Sequence, residues 1–478
     1  MAGYYIMVKY TSSALFSFHS ILQNVGQQLG YPLFDAGICH GITIRWLEAC
    51  LTGSEEEFAK RIKLIEDFFH RHYANHIVGD INDHMISHDI LAFFDSVFLF
   101  QYSHTQSDLF GKITFCDDIT QVSKIVSSDA CLLQGGLCVE FRDEHILTLH
   151  ELDAWLQETA QAIASSACQE LAGFTLSSNI HATGLMYYPS KQEWHYMDVN
   201  GDSLVISNNT KDIADSIFKQ LAQYREYLCF RINLVELKNS EQHSKLRAVL
   251  SDIRQNRVIT KETALRSTDR SSLLQLSIVN EHKDRVKLLL KLGADPNKPT
   301  EHGCTPLIFA IERGGDAEIV ELLLKLGAAP NIPAHSSATP LFYAAQYGHK
   351  DIVELLLKHN ASEKIYFTSS DKRLRQFADR NGDVGIKQRM DVIIDHKLKQ
   401  FHDPSKISLL PKDIAWVMGH KAIFTLLIKI SSEKQPEFFA AYDNREKMLD
   451  TLEESKDITK KNTVESSDGE ITPQYNLK

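Results

Sequence analysis

A period of 34 residues runs through the second half of the chain. TPLIFAIERGGDAEIVELLLKLGAAPN, from Thr305 to Asn331, returns from Thr339 as TPLFYAAQYGHKDIVELLLKHN and is prefigured from Ser271 to Asn297, with starting points Ser271, Thr305 and Thr339 spaced by 34. A fixed period of this size marks stacked units that cannot bury their apolar faces alone. Thr305 and Thr339 stand where a hydroxyl caps a helix, and Pro306 and Pro340 follow at a position that needs no amide hydrogen. Leu307 with Ala310, and Leu341 with Ala344, give one helical turn with a small residue for close packing. Apolar runs from Ile319 to Leu324 and from Ile352 to Leu357 predict a second helix, ending at Gly327 or Asn360 in a left-handed cap. Leu322, Leu323, Leu355 and Leu356 are expected in the core.

The T-P-L-x-x-A opening, the Gly348-His349 turn and the I-V-E-L-L-L second helix resemble the ankyrin repeat. The resemblance implies an all-α solenoid that binds proteins along a concave face and at its hairpin tips and does no chemistry itself. Asp295, Asn297 and Asn331, at the tips, are the partner-binding candidates. A fourth copy is marked by Leu410-Pro411, Ala415, Gly419-His420 and the run from Ile423 to Ile428. Residues 362–407 are then an insertion or an eroded repeat.

The chain has 478 residues, 43% hydrophobic and 24% charged, enough for several domains, and a net charge of −11. That charge argues against a partner held by phosphate contacts, so no direct nucleic-acid binding is expected. Eight cysteines, at 39, 50, 116, 131, 138, 168, 229 and 304, include no C-x-x-C pair, which fits reduced thiols rather than a disulfide frame. The N-terminus lacks a basic leader followed by a long apolar core, and no window reaches the ~18 apolar residues a membrane span needs.

Residues 1–235 read as α+β. Helical periods cover Ser13 to Leu29, Ile38 to Thr52, and a stretch from Ser54 whose S-E-E-E opening is a capping box. Strands are expected over Leu137–Phe141, Gly173–Tyr188, Glu193–Val199 and Leu204–Ser207, with a last one from Cys229. Helices are expected over His150–Leu171 and Lys211–Leu228. Residues 236–270 are assigned to a linker or helical cap, 271–452 to the repeats, and 453–478 to a disordered polar tail.

Three residues of the first region suggest chemistry. Cys39 lies between Gly37 and Gly41 at the start of a helix, where the dipole favours the thiolate. Downstream, SNIHATGLMYYPSKQEWHYMDVNGD reads as a hairpin whose turn, centred between Ser190 and Lys191, sets Thr183 opposite Asp198. His181 is then a diagonal neighbour of Asp198. A nucleophile at a helix start, a base on a strand and a carboxylate to orient the base suit covalent catalysis by a thiol.

Gly37-Ile38-Cys39, His181-Ala182 and Asp198-Val199-Asn200-Gly201 resemble, in order and spacing, the motifs of papain-like cysteine proteases, in particular the bacterial type III effectors related to YopT and AvrPphB. The resemblance spans Tyr31 to Ser207 and implies Cys39 as nucleophile, His181 as base and Asp198 as orienting acid. One departure stands out: where that family carries a glutamine for the oxyanion hole, this chain has Leu33 and Phe34. Asp35, Gln27 and Gln28 are nearby in sequence, and the second oxyanion donor is unassigned. No cofactor is expected. His72 with His76, and His84 with His88, are spaced i to i+4; with no H-E-x-x-H pattern they read as solvated or partner-facing rather than as metal ligands.

The acid-clustered polar end, joined to the repeats and the thiol motifs, resembles ankyrin-repeat effectors of Legionella type IV (Dot/Icm) secretion. This implies a monomer delivered into a host cell, to cytosol or nucleus, that binds a host protein through its repeats. Two readings stand side by side: a Cys-His-Asp hydrolase or acyl-transfer enzyme, and a scaffold whose thiol fold is catalytically silent.

Overall fold

The structure, a computed structural model, describes residues 18–29, 38–73, 88–102, 119–166, 170–178, 181–200, 204–222, 225–240, 243–312, 315–381, 383–401 and 403–432. The chain divides into two compact units, residues 1–344 with 354–361, and residues 345–353 with 362–478.

The first unit is built on an antiparallel sheet of six strands, β1 (Leu137–Leu147), β2 (Ala172–Ser177), β3 (Ala182–Tyr188), β4 (Glu193–Met197), β5 (Val205–Ser207) and β6 (Leu228–Leu237), in the order β1-β6-β2-β3-β4-β5. Side chains alternate across a strand, so each strand feeds two cores. Met186, Tyr188, Met197 and Val235 face one core, with Ile42, Trp46 and Leu47 of the helix Cys39–Thr52. Leu185, Tyr187, Trp194, Tyr196 and Leu234 face the other, with Trp155, Ile217 and Leu250 from the helices Leu149–Ser165, Thr210–Leu221 and His243–Asn256. The first core also takes in α1 (Phe18–Gln28), α2 (Cys39–Thr52), α3 (Glu55–Tyr73) and α4 (His88–Tyr102). The result is helices on both faces of a sheet, the α+β class expected.

Some boundaries differ from the expectation for physical reasons. Strand β1 runs on to Leu147, through the polar stretch Arg142–His145. The helix expected to reach Leu171 stops at Ser165, and the one expected to reach Leu228 stops at Leu221. In the stretch read as a linker or helical cap, the helices His243–Asn256 and Lys261–Leu265 follow the end of β6, and Leu246 and Leu250 are buried in the second core. The tail beyond Glu453 and the first residues of the expected helix from Ser13 lie outside the described residues.

The repeats are helix pairs: Leu273–Val279 with Lys283–Lys291, Pro306–Glu312 with Ala317–Lys325, and Pro340–Tyr347 with Lys350–Lys358. Thr305 and Thr339 cap as expected, their hydroxyls accepting from the amides of Ile308 and Phe342 at 3.3 and 3.2 Å. In the first copy the cap is Ser272 rather than Ser271, in a capping box with Gln275. Gly327 and Asn360 take the left-handed caps, with φ of 102° and 65°. Leu323 and Leu356 are fully buried, whereas Leu322 and Leu355 are only half-buried, since a helix in a single layer of repeats hides one stripe.

The first repeat is joined to β1 by buried charge. The Glu144 carboxylate accepts from Ser277 Oγ at 2.6 Å, Asn280 Nδ2 at 2.7 Å and Arg285 at 3.1 Å, and lies 2.8 Å from His282 Nδ1. Arg285 also binds Asp143. Burial alone would raise the Glu144 carboxyl; His282, Arg285 and Ser277 outweigh it and hold it at about 2.

In the second unit, residues 362–407 are folded rather than a long loop. Strands Phe367–Ser369 and Ile407–Leu409 pair antiparallel, and the helices Asp371–Asn381 and Val384–Phe401 lie between them in sequence. The stretch expected as a fourth copy folds as the helices Pro411–Val417 and Lys421–Ser432, with buried Asp413 accepting from the Leu410 amide at 2.9 Å and from Lys397 at 3.3 Å; the ankyrin family model does not extend to it.

Candidate functional site

Cys39 is the first residue of α2, and the preceding Ile38 offers no side-chain cap. Two glycines determine where this helix end lies. A Cβ on Gly41 would sit inside the Val97 carbonyl of α4, and a Cβ on Gly184 of β3 would lie 2.5 Å from Trp46 Cε3. Helix α2 is therefore packed closely between β3 and α4. Thr43 Oγ1 donates to the Ala182 carbonyl at 3.3 Å, which ties the helix to the start of β3 one residue after His181.

The β3–β4 register pairs Gly184 with Met197, the alignment implied by a turn between Ser190 and Lys191. His181 Nε2 and Asp198 Oδ1 are 2.7 Å apart, with side chains 11% and 2% exposed. The Asn200 amide donates to the same Oδ1 at 2.8 Å, and its carboxamide lies 3.3 Å from His181 Nδ1. Ser178 holds the His181 backbone, its hydroxyl accepting the His181 amide at 3.2 Å and its own amide donating to the His181 carbonyl at 2.8 Å. Cys39 and His181 lie close enough that each favours the other's charged form. The structure thus brings together Cys39, His181 and Asp198, residues separated by 142 and 17 positions in sequence.

Burial works against a thiolate at Cys39, but the hydrogen bond and charge of His181, with the backbone at Ala182 and His40, bring its pKa below the ordinary value. His181 moves the other way: burial lowers it, and Asp198 and then Cys39 raise it to about 10. The two shifts favour the charged form of each partner. Other described cysteines go in the opposite direction, burial pushing Cys131 and Cys229 up to about 12 and Cys138 to about 11.

Sequence reasoning did not find Gln101. This α4 residue, 7% exposed, accepts at Oε1 from the amides of His40 at 3.1 Å and Gly41 at 3.3 Å. It thereby caps a helix that has no cap of its own and fixes the orientation of the turn that carries the thiol. No local signal marks it, since it lies 61 positions from His40 in sequence. His195 is 3.7 Å from Glu193 and stacks on Tyr188, with ring centroids 4.1 Å apart. The side chains of His72, His76, His84 and His88 lie outside the described residues. Among the described residues no three His, Cys, Asp or Glu side chains gather as a metal site would require.

The hairpin-tip residues have internal bonds. Asn297 Nδ2 donates to the Gly327 carbonyl at 2.9 Å, and its Oδ1 accepts from the Ala329 amide at 2.7 Å, so one side chain links two successive tips. Asn331 Nδ2 donates to the Asn360 carbonyl at 3.0 Å. Asp295 is exposed and accepts from the Asn297 amide at 2.8 Å.

Among known proteins, no curated sequence matches this chain. The family model for ankyrin repeats, described as three copies, matches residues 250–334 and 274–366, beginning some twenty residues before the first repeat visible in the sequence. No described helix is long and apolar enough to cross a membrane. With the helix pairs, their caps and their left-handed turns in place, the chain carries an array of ankyrin repeats, a module that engages other proteins.

Proposed function

We propose that this protein binds a protein partner through its ankyrin repeats and acts on it with the thiol of Cys39, in a papain-like reaction. The observation that carries the reading is the His181–Asp198 pair at 2.7 Å, with Cys39 close enough to His181 that its thiol is shifted down and the imidazole up. The Cys39 thiolate attacks a carbonyl carbon, forming a C–S bond as the π electrons move to oxygen. That oxygen gathers at the Cys39 amide, at the positive end of α2. Collapse breaks the bond to the leaving amine, which takes its proton from His181. Water, giving a proton to His181, then attacks the thioester and restores the thiolate. Asp198 keeps the imidazole in one tautomer and orientation throughout.

A second reading is a scaffold with a silent thiol fold. It is favoured by Gln101, which occupies the His40 and Gly41 amides, and by Leu33 and Phe34 in place of the family's glutamine. A peptide vinyl sulfone probe with a tagged end decides between the two. Labelling at Cys39 that is lost in His181→Ala supports the enzyme; labelling that His181→Ala leaves unchanged supports the scaffold.

Delivery into a host cell, to cytosol or nucleus, is proposed on the composition of the tail. Deleting residues 457–478 should abolish transfer of a fused reporter into host cells, and undiminished transfer ends that reading.

A further inference from the structure

A groove of about 800 Å³ lies between the end of the helix His243–Asn256 and the second helix of the first repeat, lined by Arg254, Arg257, Val258, Ile259, Arg285 and Leu288 among others. Its volume falls in the range of binding clefts. Three observations say what would fill it.

The first is charge. Arg254 donates to the Arg142 carbonyl at 3.1 Å and lies over the Phe141 ring, and Arg257 donates to Nδ1 of His145; among the described residues neither has a carboxylate within ion-pair distance. His145 is fully buried and held neutral, first by burial and then by the arginines around it, so Arg257 rests on an uncharged partner. Asp143, Glu151 and Glu158 act on Arg257 only from a distance. The other cations here are satisfied: Arg285 by Asp143 and Glu144, and Lys283 by Asp316 and Glu318. Glu281 and Asp284 also line the groove, but both are exposed, where water screens them. A part-buried guanidinium with most of its five N–H donors unused is the stronger attractor.

The second is backbone. Val258, Ile259 and Thr260 lie outside any helix, and neither the amide nor the carbonyl of Val258 or Ile259 has a hydrogen-bond partner among the described residues. Thr260 is extended, with φ −84° and ψ 166°. Such a segment offers main-chain donors and acceptors to an extended chain laid beside it. The third is apolar surface: Val258 is 80% and Leu288 41% exposed.

We infer that this groove docks an extended peptide segment of a partner protein, one that sets a carboxylate against Arg254 and Arg257 and an aliphatic side chain against Val258 and Leu288. The groove shares no lining residue with the hairpin tips or with the site at Cys39. It would give the protein a second point of attachment to its partner.

The test is selection of a displayed library of random linear peptides on the full chain. Enriched peptides should pair an acidic with an aliphatic residue, and their affinity should fall at least tenfold in Arg254→Gln/Arg257→Gln. Val258→Glu should weaken them comparably; its side chain is exposed, so this variant stays folded even if the arginine pair proves necessary for folding. Asn331→Ala should leave them unchanged. Recovery of no peptides, enrichment without acidic residues, or equal binding to Val258→Glu would overturn the inference.

Discussion

Two clusters of buried charge in the first unit invite comparison: Cys39, His181 and Asp198 at the start of α2, and Asp143, Glu144, His282 and Arg285 where β1 meets the first repeat. In the second, every strong contact points inward. Glu144 is fully buried and receives hydrogen bonds from a serine, an asparagine, a histidine and an arginine. In the first, Asp198 Oδ2 has no partner among the described residues, and His181 shifts the thiol down while Asp198 and Cys39 shift the imidazole up. A carboxylate with its lone pairs matched, as at Glu144, serves as a joint; an unmatched carboxylate oxygen behind an imidazole and a thiol is suited to chemistry.

The largest expected effect breaks the joint. Glu144→Ala leaves Arg285 and His282 without their shared anion, and truncating one side of a buried ion pair costs about 3–5 kcal/mol. Urea unfolding should show this loss, while alkylation of Cys39 in the protein still folded should keep its rate.

The next effect belongs to the thiol. Without the imidazolium, Cys39 returns toward an ordinary or higher pKa, so His181→Ala should slow alkylation by iodoacetamide at neutral pH by about two orders of magnitude. His181→Ala also strips buried Asp198 of its partner, so stability falls in both variants; the comparison rests on the alkylation rate, which Glu144→Ala leaves unchanged and His181→Ala lowers. A His181→Ala protein alkylated at the wild-type rate would remove the distinction between the clusters.

Proton linkage separates them further. Glu144 is depressed from 4.5 to about 2, so its contribution is present above about 4.5 and lost as pH falls toward about 2; Glu144→Gln should flatten stability over that window. His181, raised from 6.5 to about 10, contributes below 6.5 and loses that contribution as pH rises through 10. Cys39, lowered from 9.0, gains above its folded pKa what an unfolded thiol gains only above 9.0. Above 6.5 and above the folded pKa of Cys39, but below 9.0, the two slopes oppose each other, so stability should vary less with pH there in the wild type than in Cys39→Ala, as paired unfolding measurements would show.

The smallest effect lies in the repeats. Asn297→Ala removes the link to Gly327 and Ala329, worth about 1 kcal/mol by the usual yield of such bonds. Asp295→Lys, exposed at the same tip, should weaken partner capture without moving the unfolding midpoint. Equal midpoints for both variants would show that the Asn297 link carries no stability.

What was legible in the sequence followed local rules. Cys39 was visible from its glycines and the helix behind it, and His181 with Asp198 from the two-residue period of a hairpin. The charged joint was not. Arg142 to His145 looks like a solvated run that ends a strand at Phe141; only the polar groups of a helix more than a hundred residues later make it a strand interior. Gln101 was hidden for the same reason, since its role arises from one helix packing against another. The fold of residues 362–407 depends on pairing Phe367–Ser369 with Ile407–Leu409, strands too short to show a period.

The two glycines that seat α2 bear on how mutants of this protein should be interpreted. At Gly41 and Gly184 the smallest enlargement available, a single methyl group, collides with Val97 or with Trp46 and must displace the helix that presents Cys39. In a screen scored on activity alone, alanine at these positions would look like loss of a reactive group, although neither residue has a side chain. Only a parallel readout of protein abundance would separate the residues that perform the chemistry from the spaces that make room for it.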